Sequence, residues 1–315
     1  MKFHTITALC LGLSMTAGAA WSECTSNSQW GADDTLGSAN LVTPERTMLA
    51  ASLIKQGKSM PLGIAIGSNT PAFPPRSLSL QVVQPNQQGG QKLSGFGYEA
   101  NYNDDLLQTW IGIGSQLDGL GHLGEGGHYY NCLDEKEISA ITGLTKLGTH
   151  DVPPLVGRAV ILDMAAHTGV DVMPAGAHFG EAEIKAAAQA QGVTMGEGDI
   201  ILFHTGWTDG MLESDPTAWG SSEPGLNNEG AVYLASLNPM AVGADTWGLE
   251  PIPAPEGDKV FYGHVTLLKE NGIYILETMN TGPLVREGVN EFMFVLGQPR
   301  IVGTVQAMIN PVALY

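Results

Sequence analysis

Positive charge is what this chain has least of. Its 14 Lys and Arg stand against 32 Asp and Glu, a formal net charge of −18 at pH 7. Such a surface repels nucleic-acid phosphates and anionic membrane faces, so neither is an expected partner. No G-x-G-x-x-G lies between a strand and a helix and no P-loop occurs, which leaves nucleotide cofactors unsupported. Beyond the first residues no apolar run approaches the roughly 18 residues of a membrane span. Repeats, heptads, low-complexity tracts and an obvious interdomain linker are also missing. With three cysteines, a disulfide-dense scaffold is excluded.

What is present begins with an address. Lys2 carries a positive charge, Ile6 to Leu13 is a short apolar run, and Ala17-Gly18-Ala19 has the A-x-A form of a cleavage site. These features predict a secretory signal peptide over residues 1–20, removed around 19 to 22, and export to a bacterial periplasm. Residues 21–315 have the length of one large domain or two smaller ones. Cys10 leaves with the signal peptide. Cys24 and Cys132 remain, and an oxidising compartment permits a disulfide between them, with two free thiols as the alternative.

Along the chain, apolar β-type runs alternate with helices. Thr43-Pro44-Glu45 opens a helix, threonine as N-cap and proline in the first turn, with Leu49, Leu53 and Ile54 as its apolar stripe and Gly57 as its end. Residues 67–104, rich in Ser, Asn, Gln, Pro and Gly, read as a long irregular segment. Strands are expected at 159–162, 200–203, 241–243, 273–276, 292–296 and 300–305. Helices are expected at 181–191, 227–237 and 265–269. The fold class is α/β with a mixed sheet.

The chemistry concentrates in residues 112–131, where seven of twenty residues are glycine. In an extended Ser115–Asp118, Gln116 and Asp118 project from one face, because strand side chains alternate. Gly119 and Gly121 can fold the chain so that His122 returns toward that face. A second group lies at His264 and Glu277. A helix of about eight residues from His264 climbs roughly 12 Å. After the turn at Asn271-Gly272, the following strand descends roughly 13 to 16 Å. Glu277 should therefore finish beside His264.

The run Gly114-Ser-Gln-Leu-Asp-Gly-Leu-Gly-His122, followed by this later His and Glu, resembles the cyclase-like metal hydrolases. That family includes bacterial kynurenine formamidases, isatin hydrolases and trans-dienelactone hydrolases. Further similar blocks occur in the same order at 30–45, 156–163, 198–207, 243–247 and 300–314. The resemblance implies that residues 21–315 form one compact α/β domain of the swivelling β/β/α type, assembling into dimers or higher homo-oligomers. The family's motif H-x-G-T-H-x-D-x-P-x-H is altered here. Gly112 and Gln116 replace its first two histidines and Leu120 its proline, while Asp118 and His122 are kept.

With two histidines gone, Gln116, Asp118, His264 and Glu277 are the candidate metal ligands, and His122 is a further ligand or base. Such an oxygen-rich set suits Mn²⁺ or Mg²⁺ as well as Zn²⁺. His122 is the candidate proton carrier, with Glu277 or Asp118 as the other bases. His128, Tyr130, Asn131, His204 and Trp247 are candidate substrate contacts. The expected activity is metal-assisted hydrolysis of a small cyclic amide, an N-formyl arylamine or a lactone. A non-catalytic binding protein that has lost the metal, or a metal-dependent lyase, would use the same pocket.

Overall fold

A computed structural model describes Cys24 and residues 28–315; the expected signal peptide and its cleavage site lie outside the described residues. Among these, a nine-stranded mixed sheet organises the chain. Four central strands, Leu155–Asp163, Ile200–His204, Ala241–Ala244 and Tyr274–Glu277, run parallel to one another. They are almost continuously apolar because both faces are covered, as parallel strands require. Glu291–Leu296, Val312–Leu314 and Ser59–Pro61 extend one side antiparallel. Gln116–Asp118 and then Gln306–Met308 extend the other, also antiparallel. The result is a single mixed α/β domain with one hydrophobic core.

The flanking helices start where their caps dictate. In Glu181–Gln191 the Glu183 carboxylate accepts the Gly180 N–H, and Gly192 closes the helix at φ 69°. Asn227 caps Asn228–Ser236 by accepting the Gly230 N–H.

Several expectations need correction. Thr43 does cap a helix, but Pro44–Ala51 ends well before Gly57. It packs through Ala50, while Leu49 is exposed; the apolar periodicity there marks surface, not a buried stripe. Residues 300–305 form no strand. Gly303 turns the chain at φ 80°, and pairing begins only at Gln306. The segment 67–104 is not wholly irregular, since Leu78–Val83 pairs antiparallel with Asp104–Thr109. This hairpin stands outside the main sheet and leaves Leu80, Val82, Leu106 and Leu107 exposed. Its alternating pattern was hidden by the proline- and glycine-rich sequence on either side.

Candidate metal centre

Strand register builds the site. Gln116 lies directly across from Glu277, and Asp118 sits two residues further along the same face. The chain then turns, with the His122 N–H donating to the Gly119 carbonyl at 2.9 Å. Only glycine fits at 119, because a Cβ there would lie 2.8 Å from the Val305 carbonyl oxygen. His264 ends the short helix Tyr262–His264, which continues as a π-helix over Val265–Glu270. That rarer winding occurs mostly at functional sites. The strand Tyr274–Glu277 then returns to His264.

The two groups meet. His264 Nε2 lies 3.1 Å from Glu277 Oε1 and 3.7 Å from Asp118 Oδ2. One ligand atom from each of the three residues falls within 4.8 Å of the others, and all three side chains are buried. His122 Nε2 stands 3.9 Å from the same Asp118 oxygen. Asp118 Oδ1 accepts a hydrogen bond from Gln306 Nε2 at 2.7 Å, but Oδ2 has no hydrogen-bond partner among the described residues. A buried carboxylate oxygen without a donor is costly. A cation set among Asp118, His264 and Glu277 would satisfy it, so the residues present fit a divalent metal. In the metal-free chain Gln116 turns its amide nitrogen to Glu277 Oε2 and Asp118 Oδ1. Ligation would require its oxygen instead.

Electrostatics follow from burial and crowding. Burial, reinforced by the Asp118 charge, pushes the Glu277 carboxyl up to about 7. Burial acts the same way on Asp118, but the His122 and His264 imidazoles outweigh it and hold that group below its usual range. Burial disfavours a charged His264, yet Asp118, Glu250 and Glu277 overcome it and raise its pKa well above normal. His122 goes the other way. Burial leads, His264 and Arg76 add to it, and the imidazole is held below its ordinary value despite Asp118.

Behind His264 sits a residue that the sequence marks only as structural, without revealing its part in the site. Glu250 Oε1 accepts from the His264 N–H at 2.8 Å and from its ring Nδ1 at 2.7 Å, while Oε2 accepts from the Gly263 N–H at 2.9 Å. Donation from Nδ1 leaves Nε2 facing Asp118 and Glu277, protonated in the metal-free chain and able to ligate a cation once that proton is shed. Glu223 was missed. Its Oε2 accepts from the Trp247 and Gly248 N–H groups at 2.6 and 3.2 Å, and burial raises its pKa well above normal. No spacing rule marks either residue, because both arrive from loops distant in sequence. Phe73 and Arg76 were missed for the same reason; Gln306 arrives on the edge strand Gln306–Met308, and Phe261 precedes His264 by three residues with nothing in the spacing to mark it.

The centre opens into a cleft of about 180 Å³, walled by Phe73, Trp247 and Phe261 and edged by Arg76 and His122. Phe73 stacks on Trp247 with ring centroids 5.5 Å apart, and Phe261 meets Trp247 edge-on at 6.3 Å. A larger apolar groove of about 700 Å³ shares the same aromatic wall.

Of the candidate substrate contacts, Trp247 alone lines the cleft. Tyr130 and Asn131 need correction. The Tyr130 hydroxyl donates to Asp34 at 2.7 Å, and the Asn131 amide donates to the carbonyls of Gly31, Ala32 and Asp34. These two residues fasten the N-terminal arm, as does the Cys24–Cys132 disulfide beside them. His128 bonds the Gly126 carbonyl through Nδ1 and lies outside the cleft lining. His204 is likewise corrected, being engaged by Thr281 Oγ1 at 2.8 Å and Asp245 Oδ2 at 3.4 Å beside a separate pocket.

Residues 60–251 match the cyclase family model, a span that holds Gln116, Asp118, His122 and Glu250 but not His264 or Glu277. The chain matches no curated protein. Among solved structures it is similar to a novel cyclase, at 28% identity and a TM-score of 0.81 over 91% of this chain and 98% of that one. Isatin hydrolase A from Ralstonia solanacearum is 16% identical, with a TM-score of 0.61 over 86% and 98% of the two chains. Isatin hydrolase A from Labrenzia aggregata, bound to benzyl benzoate, is 15% identical, with a TM-score of 0.60 over 84% and 97%. At those identities the two isatin hydrolases share the fold, and the likeness goes no further. The family match covers more than half of the chain and runs through the Gly-rich motif, so the protein belongs to the cyclase family.

Proposed function

We propose that this protein is a metal-dependent hydrolase acting on the C–N bond of a small cyclic amide or N-formyl arylamine, or on the C–O bond of a lactone. One observation carries the reading. Asp118 Oδ2, His264 Nε2 and Glu277 Oε1 converge at the floor of an aromatic-walled cleft, and the Asp118 oxygen lacks a hydrogen-bond partner among the described residues. Two oxygens and one imidazole nitrogen suit Mn²⁺, Mg²⁺ or Zn²⁺. When bound, such a cation polarises a scissile carbonyl and lowers the pKa of water toward about 7. Likeness to proteins named isatin hydrolase supports an aromatic cyclic amide among the substrates.

The chain's own residues supply the rest. Trp247 and Phe73 hold a flat substrate against the cleft wall. His122, kept neutral by burial, accepts the proton of the attacking water and passes it to the leaving nitrogen or oxygen. Glu250 keeps the His264 ring from rotating. The signal segment and the Cys24–Cys132 disulfide support export to the periplasm, where disulfides persist. The exposed apolar hairpin supports a homo-oligomer.

The test is turnover of an isatin, formanilide and aryl-lactone panel by untreated protein, by EDTA-treated protein, and after return of Mn²⁺, Mg²⁺ or Zn²⁺. Turnover lost with EDTA and restored by one cation is expected. Untreated protein that turns over none of the panel, or turnover indifferent to EDTA, would sink the reading.

A further inference from the structure

Gly112 stands where the family motif places its first histidine, and the structure shows what has taken the space. A Cβ at residue 112 would lie 2.6 Å from Arg76 Nη1 and 2.9 Å from its Cζ. The guanidinium, together with Gln306 Oε1 at 2.8 Å, therefore occupies space that a side chain at 112 would need. Arg76 Nη1 donates to the Gly112 carbonyl at 2.8 Å. Among the described residues no carboxylate forms an ion pair with Arg76, although acidic residues outnumber basic ones more than two to one. Most of its five N–H donors therefore remain unused. They border the cleft alongside Glu277, His122 and the aromatic wall of Phe73 and Trp247.

A fixed planar cation with free forked donors, beside a stacking surface, matches a flat aromatic ring bearing a carboxylate. The proposed reaction makes that group. Water oxygen adds to the acyl carbon of a cyclic amide or lactone, the C–N or C–O bond breaks, the leaving atom takes one of the water's protons, the other is released to solvent, and a ring-opened carboxylate remains. We propose that Arg76 is the carboxylate-binding residue of this cleft and holds the aromatic carboxylate that ring opening of a cyclic amide or lactone leaves, a group absent from the aryl product of a formanilide. This rests on the hydrolase reading for the origin of the carboxylate, but not for its recognition.

The two are separated by measuring binding without turnover. EDTA-treated protein is titrated by calorimetry with anthranilate and with anthranilamide, a neutral partner of similar shape, so that no metal contributes to carboxylate affinity. The native protein is expected to prefer anthranilate by about ten- to a hundredfold, the range for hydrogen bonds to a charged group. Arg76→Gln should bind both compounds alike, and Arg76→Lys should keep only part of the preference, because it lacks the fork. Gly112→Ala retains the arginine but displaces its guanidinium, and should show the same loss as Arg76→Gln. An undiminished preference in Arg76→Gln, or equal binding of the two compounds by native protein, overturns the proposal. If the preference is present but no substrate turns over, the hydrolase reading fails and the carboxylate site stands.

Discussion

Replacing Glu250 by Gln asks whether the orientation of His264, and not merely its presence, sets cation affinity. The buried carboxylate accepts three N–H bonds, two of them from His264 itself. A carboxamide of the same shape keeps one oxygen and turns an NH₂ toward one donor that Glu250 now satisfies. Hydrogen bonds to charged groups contribute about 1.5–3 kcal/mol each, so losing one and weakening the others should cost roughly 2–4 kcal/mol of fold stability. The ring then keeps only a neutral amide oxygen, a weaker acceptor than the carboxylate, to fix its Nδ1 proton. Outer partners of ligating histidines typically carry about ten- to a hundredfold in metal affinity, and a loss of that size is expected here. The assay pairs calorimetric titration of Mn²⁺ and Zn²⁺ with thermal melts of metal-free protein. A variant that melts lower but binds cations as tightly as the native chain would refute the reasoning, because Glu250 would then be a prop for the backbone alone.

Cation affinity should also rise with pH. The fold lifts Glu277 to about 7, so its proton stabilises the metal-free chain below the ordinary carboxylate range, and that contribution fades as pH climbs through about 7. His264, also raised, acts with the same sign, and both groups must shed protons to bind a cation. Titrations in buffers of different ionisation enthalpy should show proton release that shrinks as pH rises; a pH-independent affinity would contradict it. Removing the disulfide with Cys132→Ser opens a link between residues 108 apart and should lower unfolding stability by about 2–5 kcal/mol in denaturant melts, while cation affinity stays unchanged. Val82→Lys on the exposed hairpin should shift the protein toward smaller species in light scattering, whereas a mass unchanged from native would remove that hairpin from any subunit interface.

The parts of the site that lay on one strand or one helix–strand unit were legible in the sequence. Gln116 and Asp118 share a face because strands alternate, and His264 and Glu277 meet because a helix and its return strand have matching lengths. The central strands were legible through continuous apolar runs, which double burial demands. What failed were inferences of direction. Tyr130 and Asn131 sit close in sequence to the metal motif, yet their polar atoms serve the N-terminal arm. Alternation along a chain says which residues share a face, not what the chain opposite will offer them. For Gln116 the same limit held at the scale of one amide, since only the Glu277 carboxylate across the sheet decides which end of the group it meets. The roles of Glu250, Glu223 and Arg76 were invisible for the converse reason, because each reaches the site from a loop whose position belongs to the whole fold.

One stretch of chain, from Trp247 to His264, carries the aromatic wall, the Glu250 clamp and a candidate metal ligand in succession. On that side of the cleft, wall shape and metal retention are thereby inherited together. A substitution there that reshapes the wall also disturbs the carboxylate that aims the imidazole, so new substrates sought on that side would cost cation occupancy. Another rim, formed by Phe73 and Arg76, lines the same cleft without carrying a candidate ligand. Diversification within this lineage, natural or directed, should therefore accumulate on that rim, leaving the Trp247–His264 stretch as the conservative half of the pocket.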